Sequence, residues 1–442
     1  MRENGYNSRA SRHSPTHGDC EALRIQPPRM QHVAAQWYNS TRHWGAQPMS
    51  GVRRIWMMIP FGNGLEMLML HLETLQDVVD HFLITESTTT HTRHESKAAL
   101  LTEALTSGSV PPSLAAKVTV RVIDLVVTAT FGHCSQRPVG HPRTSCIDEW
   151  QRYQLFDLLM SKMPQAEDLA VLADFDEIAR PEVLLSLKQC FPFVNGSNEG
   201  RLSKVILEAP HFEFGMHCLR PTTWLHGPHV FSAGYLLSRF GPVQQKDSDG
   251  PISENQCEAA SWSRQRMATI YSMPHIAHSA WHFSTFGSAA AIKQKFLSWS
   301  HSNTLLSAAE QTVNRQRTTE REKLNSTVPR GILFTAAVRG LKYGFKPNGF
   351  EHQALNEKRL ERCAQHCLDP YPYPRRQESN QQTVPPCWAT GKDATSFKMG
   401  KHLTRHHTEG GAFPPVFYKS TYKSLLFRHE FASSTLSRFH EL

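Results

Sequence analysis

No uninterrupted apolar run in this 442-residue chain reaches the roughly 20 residues that a membrane-spanning helix needs. Its best apolar stretch, Gly51 to Leu75, is broken by Arg53, Arg54, Gly62, Asn63, Gly64 and Glu66. The first residues also lack the compact apolar core of a secretory signal. No membrane anchor is visible in the sequence as given, and an anchor lost with a truncated gene model would lie upstream of it. Cysteine pairing is equally sparse. The nine cysteines form no Cys-x-x-Cys motif, and the closest pair, Cys363 and Cys367, stands alone. A structural zinc cluster needs two such pairs, or one pair with histidines at ligand spacing. Buried thiols are expected instead, with a disulfide or two only in an oxidising lumen.

The chain also lacks a basic core. Its formal charge is +9, but residues 1–54 and 370–442 each carry a net +5, which leaves about −1 for residues 55–369. A nucleic-acid-binding body would concentrate its Lys and Arg on the folded part. No nucleic-acid partner is expected. The two basic ends are rich in Arg, His, Gln, Pro and Ser without hydrophobic period, and they read as disordered tails. The expected division is a disordered segment 1–54, a folded body 55–369 and a Pro/basic-rich tail 370–442.

Within the body, strand-like and helix-like patterns alternate. Ile55–Pro60 reads as a strand that ends in the turn Phe61-Gly62-Asn63-Gly64. Leu65, Leu68, Met69, Leu72 and Leu75 then fall on one helical face. Val78–Thr85 and Val118–Val127 are strand-like, Ile147–Met163 returns to helical spacing, and Leu169–Ala173 is a buried-type strand. Pro181 suits the first turn of a further helix. This alternation predicts an α/β fold with a mostly parallel central sheet flanked by helices. Ligands of such sheets lie at the carboxyl ends of the strands, which here carry Glu86 and the run Asp174-Phe175-Asp176-Glu177.

That acidic run is the strongest chemical signal. Crowded carboxylates are costly unless a cation or proton is shared among them. Strand alternation would put Asp174 and Asp176 on one side as a partial cage for Mn²⁺ or Mg²⁺. The competing reading is a solvated turn with Glu177 at a helix start. A second chemistry uses the same letters: an aspartyl-nucleophile phosphatase, which needs a later acidic pair on a strand end. Asp247/Asp249 follow Gln244-Gln245-Lys246 instead of an apolar strand, so that reading ranks second. Residues 202–300 are dense in aromatics and histidine, which fits a core or a sugar-binding groove. A carbohydrate-binding protein without turnover is a further alternative.

Three stretches in order resemble glycosyltransferase family 17, whose members include the bisecting β-1,4-N-acetylglucosaminyltransferase of N-glycans. The first runs from Phe61-Gly62-Asn63-Gly64-Leu65-Glu66 through Leu72-Glu73-Thr74-Leu75 to Ile84-Thr85-Glu86-Ser87. The second is Glu149-Trp150-Gln151-Arg152 with Ala173-Asp174-Phe175-Asp176-Glu177-Ile178. The third is Ala280-Trp281-His282-Phe283-Ser284 with Lys295, Ser300 and His301. Ala173, Ala179 and Ala280 stand where the family usually has Ser, Pro and Gly.

The resemblance implies a GT-A-like fold, UDP-GlcNAc as donor, an N-glycan or glycoprotein acceptor and a Golgi lumen or membrane location. It implies transfer to the core β-mannose with inversion, assisted by Mn²⁺ or Mg²⁺ on Asp174 and Asp176. Glu177, Asp174 and His282 are the expected catalytic residues, and Glu66 is a further candidate for the general base. Glu86, Glu66, Asn63, Arg152, Trp281, Lys295 and His301 are the expected substrate-binding residues.

Overall fold

The computed structural model describes residues 25–26, 53–90, 96–125, 141–189, 204–213, 215–240, 273–287, 292 and 295. Strand β1 (Ile25–Gln26) is a short edge piece, and the body begins with β2 (Ile55–Phe61). Every residue of β2 is buried, as expected for a strand covered on both faces. The chain then turns through Gly64, at φ 86° before helix α1 (Leu65–Leu75). Only glycine adopts that left-handed geometry without strain.

Strands β3 (His81–Ser87) and β4 (Val118–Ile123) extend the sheet in parallel on one side of β2. Helices α2 (Leu100–Thr106) and α3 (Pro112–Ala115) form their connection. Helix α4 (His141–Ser161) leads into β5 (Leu169–Leu172), which pairs in parallel with the other side of β2. Alternation along β2 divides the core. Ile55, Met57, Ile59 and Phe61 pack with α1, and Trp56 and Met58 pack with Leu155, Phe156, Leu158 and Leu159 of α4.

After β5 the topology changes. Strand β6 (Glu177–Ala179) and helix α5 (Pro181–Gln189) leave the large sheet, and β7 (Lys204–Leu207) returns to it. The long β-hairpin of β8 (Ala209–Glu213) and β9 (Gly215–Trp224) follows, then β10 (His229–Ser232), α6 (Ala233–Phe240), β11 (His275–Ile276) and β12 (Ala280–Ser284). The eight-stranded sheet has the order β1-β11-β7-β10-β5-β2-β3-β4, with β10 antiparallel to both neighbours. A second sheet has the order β6-β12-β8-β9.

The α/β class, the mostly parallel centre and the flanking helices are therefore as the sequence pattern indicates. Several bounds shift, the largest being that β3 begins at His81 instead of Val78, β4 ends at Ile123 instead of Val127, and α4 begins at His141 instead of Ile147. Of the segment 1–54 expected to be disordered, β1 (Ile25–Gln26) and residues 53–54 are described, and β1 pairs with β11. The rest of that segment, the tail 370–442, Cys363/Cys367 and Asp247/Asp249 lie outside the described residues. Among the described residues, no helix is long and apolar enough to cross a membrane.

Candidate active site

The acidic run is a turn and not the end of an extended strand. Strand β5 stops at Leu172, and the Glu177 N–H donates back to the Asp174 carbonyl at 2.9 Å. This corrects the expectation that alternation alone aims Asp174 and Asp176 to one side. Each acid meets its own cation. Asp174 Oδ1 is paired with the Arg152 guanidinium of α4, which also reaches Asp148 at 3.4 Å. Asp176 Oδ2 accepts from Lys295 Nζ at 2.5 Å. Arg152 is thus a partner of the acids, held nearly out of solvent.

Glu177 is neither a helix start nor a free carboxylate. It opens β6, four residues before α5, and both its oxygens accept bonds. Oε1 accepts from the Trp224 indole N–H at 2.7 Å, and Oε2 from the Asp174 N–H at 3.1 Å. Across the sheet, Glu177 lies opposite His282 of β12, and His282 lies opposite His211 of β8. The strand register therefore lines up a carboxylate and two imidazoles, all buried. The His282 ring stacks on Trp224 at 4.2 Å between centroids and lies 4.5 Å from His211. The Phe283 N–H donates to the Asp176 carbonyl at 2.8 Å, which ties this row to the acidic turn.

Residues 25–195 match the family model of glycosyltransferase family 17. That segment spans the first β–α–β units, the acidic turn and α5. The match supports a glycosyltransferase, in agreement with the motif resemblance. It stops short of β8, β9, β12 and Lys295. No curated protein matches the chain.

The remaining residues suggested by the family motifs divide sharply. Glu86 is fully buried, and its carboxylate caps α2. It accepts from the Leu101 N–H at 2.8 Å, the Thr102 N–H at 3.0 Å and the Thr102 hydroxyl at 2.7 Å. The cap serves a helix fourteen residues downstream and not the adjacent Ser87–Thr90. Trp281 is likewise buried, because alternation on β12 turns it away from His282, and the Arg180 guanidinium lies 4.6 Å above its ring. It is a core residue instead of an open stacking platform. Glu66 is exposed in the first turn of α1, and Asn63 is half-buried in the preceding loop. His301 lies outside the described residues. Ala179 and Ala280, two of the departures from the family motif, face each other across β6 and β12 and are fully buried.

Three contributors were not among the expected site residues, although Gln151 stands inside the second motif. His71 of α1 lies beneath the acidic turn, where its Nδ1–H donates to the Phe175 carbonyl at 3.1 Å. Burial holds its pKa down to about 4, although the Phe175 carbonyl and Asp176 both oppose the shift. Its i−4, i−3 and i+4 neighbours, Met67, Leu68 and Leu75, are apolar, so nothing in the pattern marks it out. Gln151 donates to the Phe61 and Thr85 carbonyls at 3.1 and 3.0 Å, anchoring α4 across the carboxyl ends of β2 and β3. Lys97 donates to the Gly62 carbonyl, and burial lowers its pKa to about 8 against the opposing influence of Glu86. Gly64 also approaches the site: a Cβ there would stand 3.2 Å from the Phe175 ring.

Among the described residues, no group of three His, Cys, Asp or Glu stands ready to hold a metal ion. The donor set still suits a cation completed by water and phosphate, since Asp174 and Asp176 stand two residues apart in one turn and each supplies carboxylate oxygen, now paired with a side-chain cation.

Proposed function

We propose that the protein is an inverting transferase that moves N-acetylglucosamine from UDP-GlcNAc to the β-mannose of an N-glycan core through a β-1,4 linkage. The observation that carries this reading is the pair of carboxylates in the turn after β5, inside the matched family segment and compensated by Arg152 and Lys295. The mixed sheet, with one antiparallel strand inserted among parallel ones, suits a GT-A-type arrangement, and the family resemblance favours a Golgi location.

Asp174 and Asp176 are the residues that hold a divalent cation, Mn²⁺ or Mg²⁺. When bound, it neutralises charge on the donor diphosphate as the nucleotide leaves. Arg152 and Lys295 bring further positive charge to the same place. The inverting step needs one base for the acceptor hydroxyl proton. Glu177 and His282 stand in the buried row beside the turn, and Glu177 already spends both oxygens on Trp224 and Asp174. Trp224 orients that row, and Gly64 lets the first loop approach the turn.

Incubation with UDP-GlcNAc, Mn²⁺ and a panel of glycans, read by mass, should add one N-acetylhexosamine to a mannose-terminated core. Asp174→Asn should abolish that gain while the melting temperature stays close to that of the parent. Full activity in this variant would remove Asp174 from the site.

A further inference from the structure

We infer that Lys295 is a resident countercation on Asp176 that a divalent ion must displace, and that the donor diphosphate is what receives the displaced ammonium. The inference rests on the metal and nucleotide reading above, and adds an order and a coupling to it.

The geometry is specific. Lys295 Nζ stands 2.5 Å from Asp176 Oδ2 and 5.4 Å from the centre of the Phe175 ring, so it lies over the turn that joins the two acids. The Asp176 side chain is about 9% exposed and that of Lys295 about 20%. The pair is therefore largely shielded, where like charges repel far more strongly than in water. A divalent ion on the same carboxylate would face an ammonium a few ångströms away. Asp174 offsets little of this repulsion, because its own charge is already balanced by the Arg152 guanidinium. Metal and Lys295 are thus antagonists for Asp176 as long as no further anion is present.

A diphosphate changes that balance. Its oxygens would accept from Lys295 while meeting the divalent ion's charge, so the ammonium could leave the carboxylate without losing an anionic partner. Metal and nucleotide then favour each other's binding, and Lys295 carries the coupling. The lysine stem is long and flexible enough for such an exchange, in contrast with a backbone donor. In the absence of nucleotide the site holds its own charge compensation, which keeps the acids from capturing stray cations.

The test is titration calorimetry of Mn²⁺ on the whole protein, alone and with saturating UDP, for the parent, Lys295→Met and Lys295→Arg. The parent should bind Mn²⁺ weakly alone and at least about tenfold more tightly with UDP, a typical coupling. Lys295→Met should bind Mn²⁺ alone about tenfold more tightly than the parent and lose most of the gain from UDP. Lys295→Arg retains the charge and should behave like the parent, which also guards against a misfolded Met variant. If Lys295→Met binds Mn²⁺ no more tightly than the parent, while UDP still promotes binding, the antagonism is wrong and the metal reading stands. If neither protein binds Mn²⁺ with or without UDP, both readings fall together.

Discussion

The two ends of the central strands carry the same residue types and use them differently. At the amino ends, Asp168 accepts from the Arg54 N–H at 2.9 Å, the Trp56 indole at 3.0 Å and the Gln165 N–H at 3.0 Å. It is fully buried and joins the start of β2 to the start of β5. At the carboxyl ends, Asp174 and Asp176 meet the side-chain cations Arg152 and Lys295. A backbone donor cannot leave its acceptor without unfolding the segment, whereas a lysine or arginine can rotate away. Position at a strand end nominates an acid, and the kind of partner decides its role. Glu86 sits at the carboxyl end yet behaves like Asp168, because two of its three donors are backbone N–H groups.

The comparison is broken most strongly at the amino end. Asp168→Ala strips three donors of their acceptor at once and should cost about 3 kcal/mol or more in urea unfolding. Activity per folded molecule should stay at the parent level, since the exchangeable acids are untouched. A kinetic defect that exceeds the unfolded fraction would show that the two ends are coupled.

Glu177→Gln sharpens the comparison at its boundary, for Glu177 combines a backbone donor with an indole. The amide can accept at only one of its two positions, so a loss of about 1–3 kcal/mol is expected. If Glu177 orients the turn, the donor KM rises and the pH profile of kcat keeps its shape. If Glu177 is the base, kcat collapses at unchanged KM and the ascending limb of the profile disappears.

Acid should loosen the carboxyl end with the smallest effect per step. Burial lowers His71 to about 4 and His229 to about 3, against an ordinary value of 6.5. Both are neutral in the folded protein at pH 7, and the unfolded chain takes up their protons below 6.5. Their stabilisation is complete above 6.5 and declines as pH falls toward 4 and 3. The slope is about 1.4 kcal/mol per pH unit for each group well inside that window, and less near 6.5. Urea midpoints at pH 7.5, 6.0 and 4.5 would read it, and a flat profile would mean that neither imidazole is neutral and buried. Hydrogen exchange should place the loosening at Phe175 and Leu172, next to these rings.

The parallel half of the fold was legible because its strands are short and apolar, and α1 repeats its apolar residues at helical spacing. The acids were legible as a motif at the end of such a strand. What they touch was not. Lys295 is 119 residues from Asp176, and Trp224 is 47 from Glu177, so no local pattern announces either contact. Trp281 and His282 were read as one functional unit, yet adjacent residues on a strand face opposite ways. His71 was hidden among apolar neighbours on α1, and the capping role of Glu86 was hidden because the helix it caps lies further along the chain.

The distances along the chain also set an order of events during synthesis. The turn at Asp174–Glu177 leaves the ribosome before the residues that complete it. At about 5–20 residues per second, on the order of ten seconds pass before Lys295 exists. During that interval β6 has an unpaired edge, since β12 is its sheet partner, and the carboxylates lack Trp224 and Lys295. The parallel part of the large sheet, β2 to β5, can form early, although the free edge of β5 also waits for β10. The second sheet must wait, and a pause or a bound chaperone around residues 180–280 would fall in the period when the exposed edge is most open to wrong pairing.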